Sequence, residues 1–186
     1  MTDTSDLFLK TITFEQAMQY TAQLLTTPEL ADAVLETKVS QLLATMNGAR
    51  GFFVAYLTGN FSQSDTPSAP IYRAIAQAPL VAVDLLVKNI AMSTAMVLTH
   101  CQNGNEAAAK DSATVANRSS KIIRELAQNY EATNLIAAAR DLRDSAQGIG
   151  GSYGDFLDRW QYNEMQRLAI ATALESACPA ILPDVV

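Results

Sequence analysis

Residues 79–102 read PLVAVDLLVKNIAMSTAMVLTHCQ, the longest apolar run in the chain. At about 20 residues such a run is long enough to cross a bilayer. Asp84, Lys88 and Asn89 stand near its middle, however, and each charged group at a bilayer centre costs about 2.5–3.5 kcal/mol on insertion scales. No clear Lys/Arg cluster and no aromatic belt flanks the run. The reading is therefore a buried helix over 79–102, with no membrane involved. Asp84 and Lys88 are four apart and share a face of that helix. They form either an ion pair at a helix or subunit contact, or a charged pair lining a ligand cavity.

Charge is scarce around this element. Between Gly51 and Asn103 the Asp, Glu, Lys and Arg residues are Asp65, Arg73, Asp84 and Lys88 alone. Charged residues make up 17% of the 186-residue chain, against about 25% in a typical globular protein. The middle of the sequence is thus the middle of the fold or an interface. A small domain with so little charge covers its surface more readily as an oligomer. The net charge of −6 disfavours non-specific binding to nucleic acid or anionic lipid. The opening residues MTDTSDLFLK lack a basic segment followed by a long apolar one, so no secretory signal is read there. Two cysteines, Cys101 and Cys178, make no disulfide framework. The expected location is cytoplasmic.

On either side the chain punctuates into helices. Residues 1–12, ending in Leu7, Phe8, Leu9 and Ile12, read as an arm on a partner subunit or a tail packed on its own core. Thr13 and Gln16 have capping-box spacing, so a helix starts near Phe14. Thr27-Pro28-Glu29 reads as a second start. Its inward stripe is Leu35, Val39, Leu42 and Met46, and Phe53, Tyr56 and Leu57 extend the rhythm to about Thr58. Gly48 and Gly51 inside it mark close approach of another backbone. Without an upstream strand or GK[ST] they do not read as a phosphate cradle. Residues 59–70 are a loop and 69–78 a short helix. After the central run, Gly104 supplies a helix stop. A helix over 106–128 turns Ile122, Ile123 and Leu126 inward, and one over 131–147 turns Leu135, Ile136, Ala139 and Leu142 inward. In the latter Arg140, Asp141, Arg143 and Asp144 face out. Ser152 and Asp155 start a last helix whose stripe runs Tyr153, Leu157, Trp160, Glu164, Leu168, Ala171. An apolar tail over 179–186 is expected to lie extended. With no sustained strand alternation and no dividing linker, the fold expected is all-α: a single-domain bundle of about seven helices over residues 1–186, around the apolar helix 79–102.

The chemistry is narrowed as much by what is missing. One histidine, His100, cannot build a His-rich zinc site or a carboxylate-bridged di-iron bundle. Adjacent His100 and Cys101 point about 100° apart on a helix, which makes joint ligation awkward. No G-x-S-x-G elbow is present. No metal, cofactor or catalytic set is expected. The candidate ligand contacts are Arg50, Arg73, Asp84, Lys88, His100, Trp160 and Glu164. The arginines would hold an anion if they converged; Glu164 among apolar neighbours would need a partner or a raised pKa. The function expected first is non-catalytic: protein–protein contact, regulatory or scaffold, as a homodimer or with another protein. One alternative is a small-molecule binding protein with a cavity beside the central helix, lined by Met92, Met96, Phe52, Phe53 and Trp160. Another is an enzyme using inward carboxylates, Glu36, Asp84 and Glu164.

Overall fold

Side-chain oxygens of Thr13, Thr45, Asn105 and Asn163 cap helix starts in this chain. The computed structural model describes residue 9 and residues 11–182, and among them it contains α-helices, one 3-10 turn and no strand. The protein is all-α. The chain divides into two compact units, residues 1–85 and 86–186.

In the first unit, Thr13 caps α1 (Phe14–Thr26) with the expected box. Its hydroxyl accepts the Gln16 N–H at 3.2 Å, and the Gln16 side chain accepts the Thr13 N–H at 3.0 Å. Thr27 does not start the next helix. Its hydroxyl donates back to the Gln23 carbonyl at 2.7 Å, so it is spent on finishing α1. Glu29 then takes a left-handed conformation at φ +54, and α2 begins only at Asp32 and runs to Leu43. The helix expected to continue through position 46 breaks at Thr45. There the extended backbone lets the hydroxyl accept the Gly48 N–H at 3.1 Å and cap α3, Met46–Thr58. Leu35, Val39 and Leu42 are buried as expected, but Met46 lies beyond the break and is half exposed.

The two glycines of α3 sit at close approaches. A Cβ on Gly51 would stand 2.5 Å from Ala17 Cβ and 2.7 Å from the Phe14 carbonyl oxygen of α1, and one on Gly48 would meet the Leu42 carbonyl. Phe52, Phe53 and Tyr56 fill the core beside them, Phe52 and Tyr56 stacked at 5.2 Å. The expected loop contains one turn of helix, α4 (Ser62–Asp65), held because Ser64 donates to the Tyr56 carbonyl and the Tyr56 hydroxyl to the Gln63 carbonyl. The short α5 (Ala69–Ala76) follows and packs on α2.

The apolar run forms α6, Leu80–Gln102, and the boundary between the units falls inside it, after Leu85. By length and composition it could span a bilayer, and 44% of its most apolar window is already covered by protein. Gly104, at φ +67, ends it. In the second unit α7 (Glu106–Asn129) packs on α8 (Thr133–Gln147) and buries Ile122, Ile123 and Leu126. The last long helix expected is two. α9 (Gly154–Arg159) and α10 (Glu164–Ala177) are parted at Gln161, which is left-handed at φ +53. Asn163 and Gln166 form a capping box that starts α10 afresh. The expected stripe is therefore broken. Leu157 and Ala171 are buried, whereas Trp160, Glu164 and Leu168 are exposed. Ser152 does not cap a helix either. Its N–H and hydroxyl both bind the Asp141 carboxylate, at 2.7 and 2.6 Å.

With ten α-helices among the described residues, the count exceeds the expected seven because of these breaks. The first described part of the tail, Pro179–Ile181, is a 3-10 turn with Ile181 buried, not an extended strand. Of the expected arm, Leu9 and Ile12 are buried; the other residues of 1–8, position 10, and 183–186 lie outside the described residues. Because the space at Gly51 is filled by α1 backbone, Gly51→Ala is expected to destabilise the protein by about 1–3 kcal/mol. Urea unfolding measures this, and an unchanged midpoint would show that α1 can shift freely.

Candidate functional site

The candidate residues fall in both units. In the first, the Arg73 Nε donates to Glu36 Oε2 at 2.6 Å, with both side chains partly exposed, so the pair contributes at most about 1 kcal/mol. It ties α5 to α2 beside an open groove of about 570 Å³ lined by Glu36, Thr37, Ser40 and Gln41. The exposed Arg50 stands over the Phe14 ring at 5.4 Å. Each guanidinium is thus committed locally, Arg50 to a ring and Arg73 to a carboxylate. Asp84 is half-buried on the opening turns of α6.

In the second unit Lys88 Nζ sits 5.3 Å from the centroids of both Tyr153 and Phe156. Two ring faces offer a half-buried ammonium the negative side of their quadrupoles. The Phe156 ring in turn meets Tyr162 edge-on at 6.1 Å. Lys88 therefore joins α6 to α9 through aromatic faces. His100 is half-buried near the C-terminal end of α6 and its carbonyl accepts the Asn105 N–H. One residue back, Thr99 accepts a hydrogen bond from Gln166 of α10 at 2.9 Å. Glu164 is exposed in the first turn of α10, where a carboxylate suits the helix dipole, so the expectation of a buried acid there is corrected. Among the described residues no three His, Cys, Asp or Glu side chains come together as a metal site would require.

The most constrained ionic cluster is one the sequence reading placed on the surface. Arg143, expected to face out, is buried with a side chain 10% exposed. Its Nε lies 2.5 Å from Asp144 Oδ1, Nη1 is 3.5 Å from Glu175 Oε1, and Nη2 donates to the Ile181 carbonyl at 3.1 Å. Arg140 donates to the Ala180 carbonyl at 3.1 Å, and Gln147 donates to Glu175. Two arginines of α8 thus hold the carbonyls of the 3-10 turn. They line an open groove of about 620 Å³ with Asp144, Glu175, Ile149 and Leu182. Two cations and two carboxylates neutralise each other there, so the groove offers no net charge to an anion. The turn closes over Cys178, whose thiol is pushed up by burial against the weaker opposite pull of backbone contacts at Ala180 and of Arg140. Cys101, by contrast, is exposed.

A third feature lies on α10. Met165 and Leu168 are 63% and 67% exposed, and Trp160, just before the helix, is 50% exposed. Further along the same helix Thr172 and Ser176 are also exposed. Among the exposed residues of α10 only Glu164 carries a charge. The family model described as "Uncharacterised conserved protein UCP020893" matches residues 13–177. The chain belongs to that family. The span matched in this UCP020893 chain opens on the residue that caps α1 and closes on the last residue of α10, so it takes in nearly all of both units. No curated protein and no solved structure matches the chain.

Removing Arg143 leaves Asp144 and Glu175 partly buried without their cation. Arg143→Ala is expected to cost about 2–3 kcal/mol, less than for a fully buried pair because both carboxylates keep some water. A thiol reagent at neutral pH should modify one cysteine in the native protein, Cys101, and both in the variant. Equal labelling in the two proteins would show that the arginine does not hold the turn closed. Burial also pushes the Tyr162 phenol up to about 12 from 10.0. Its neutral form is favoured in the folded state, so this stabilisation is whole below pH 10 and is lost as the pH rises through 12. Stability should fall over that window, and the fall should shrink in Tyr162→Phe, as read by urea unfolding across the alkaline range.

Proposed function

We propose that the chain is a non-catalytic helical protein acting through protein–protein contact, with a regulatory or scaffold role, as a cytoplasmic homodimer. The observation that carries this reading is the outward face of α10. Single exposed apolar side chains are ordinary on any protein surface. Here Met165 and Leu168 share one face of a helix that shows a single exposed charge in fourteen residues, and the half-exposed Trp160 stands just before it. A helix solvated on that side normally carries charged residues there. Apolar side chains, methionine and an aromatic group with little charge among them are what contact surfaces use.

The ionisable groups support the same reading. Glu36 is engaged by Arg73, Lys88 by two rings, and Arg143 by two carboxylates and a carbonyl. These are the arrangements of a scaffold, in which charges hold elements together. In this reading no cofactor, nucleic acid or membrane is required.

Light scattering at micromolar concentration is expected to give twice the chain mass of 20.0 kDa. A single-chain mass throughout that range would remove the homodimer. Native mass spectrometry of freshly purified protein should show the bare chain mass per subunit. A retained adduct, or visible absorbance, would instead favour a small-molecule binding protein.

A further inference from the structure

We infer that the outward face of α10 receives a second copy of itself, the two helices antiparallel about a two-fold axis near position 170. The inference rests on the proposed reading and names the surface and its register. Glu164, Leu168, Thr172 and Ser176 are spaced by four along α10, and all are exposed. Such a row is a ridge of the kind that packs between helices. Its sequence is asymmetric. Leu168 and the flanking Met165 put bulk near the N-terminal end, while Thr172 and Ser176, with Ala173 between them, leave the C-terminal end low. The Thr172 hydroxyl donates to the Leu168 carbonyl at 2.9 Å, so its proton is already placed within the helix.

The midpoint between Leu168 and Thr172 and the midpoint between Glu164 and Ser176 coincide. In an antiparallel pair, then, Leu168 faces Thr172 and Glu164 faces Ser176, in both directions at once, as an isologous contact demands. Leu168 meets the small Thr172 at each end, and Met165 falls opposite Glu175, which Arg143 and Gln147 hold to its own unit. The charges agree with this. Arg124 of α7 stands at the far end of the face, its Nη2 donating to the Ser176 carbonyl at 3.0 Å. It is exposed, and its hydrogen-bond partner there is a neutral carbonyl. Glu164, also exposed, would lie beside it on the other copy. Two Glu164–Arg124 pairs then flank the apolar centre. A parallel pairing would set Glu164 against Glu164 and bulk against bulk, and it gains neither match.

One helix face with its flanks makes a contact at the small end of stable interfaces. The dimer should therefore dissociate on dilution within the micromolar range, which sedimentation velocity reads directly. Glu164→Arg and Arg124→Glu each place two like charges together and should weaken the dimer about tenfold or more. Leu168→Asp, at an exposed position that cannot unfold the core, should do the same. The double variant Glu164→Arg with Arg124→Glu restores opposite charges and should recover the wild-type dissociation constant. Circular dichroism confirms that each variant is folded. A wild-type dimer that all three single variants leave intact overturns this inference and leaves the contact reading standing. A wild-type chain that is monomeric throughout the range overturns both. A dimer weakened by each single change but not recovered in the double variant overturns the antiparallel register.

Discussion

Arg143 carries a guanidinium into a place where only a tenth of the side chain keeps contact with water. Moving such a group out of water costs several kcal/mol unless its donors are answered. Nη1 and Nη2 find the Glu175 carboxylate and the Ile181 carbonyl, while Nε is answered by the charge of Asp144 and not by a hydrogen bond, so one side chain of α8 ties together its own helix, α10 and the 3-10 turn. The consequence reaches further than the cluster. Glu175, near the C-terminal end of α10, is held by Arg143 and Gln147 of α8, while Met165 and Leu168 near the other end of the helix stay exposed. The same clamp seats Ile181 and closes the turn over Cys178, which is why one of the two thiols is withdrawn from solvent.

In the first unit the equivalent constraint is steric. Gly51 lets the backbone of α1 come to a distance that any side chain would prevent, and Phe52, Phe53 and Tyr56 then pack beside that contact. A glycine in the interior of a helix costs about 1 kcal/mol of helix propensity relative to alanine. That loss is tolerable because it is offset by the close approach of α1 and the burial of large rings that accompanies it. Thr45 makes the same arrangement possible from the other side. By capping α3 separately from α2, it frees the two helices to take different directions, and α3 can meet both α1 and α2.

These two units show which signals a sequence carries by itself. The Thr13 box, the apolar run of 79–102 and the stop at Gly104 were legible because each is written in a contiguous stretch of sequence; Gly51 marked a close approach, but not that α1 would make it. Thr27 and Thr45 were not. A threonine hydroxyl can finish one helix or begin another, and local sequence does not say which carbonyl or amide it will find; here Thr27 turned back to Gln23 and Thr45 forward to Gly48. Asn163 with Gln166 was a legible box passed over in favour of an apolar rhythm that ran across it. That rhythm put Glu164 and Leu168 inside, and the break at Gln161 turned them out. Arg143 failed for a different reason. Alternating charge along residues 140–144 reads as a solvated face, and nothing in those five residues announces that Glu175 and the Ile181 carbonyl, more than thirty residues later, will join Asp144 around Arg143. Of the candidate site residues, each has a legible local chemistry, yet which partner it finds depends on packing that spacing does not encode.

The scarcity of charge joins these observations. With 17% charged residues, this chain has few groups to spend on solvating helix faces, and the structure shows many of them committed inside or between elements. Arg73 holds α5 to α2, Lys88 is laid over Tyr153 and Phe156, and Arg143 closes the end of the second unit. A charge used in this way is unavailable to the outer surface. The outer face of α10 is accordingly left to methionine, leucine, threonine and serine, bounded by one acid at its start and one arginine beyond its end. A protein that needed only solubility on that side could have placed Lys or Glu at 168, 172 or 176 without disturbing a single buried contact, since all three positions are exposed. That none is charged is a property of the surface itself, independent of the core.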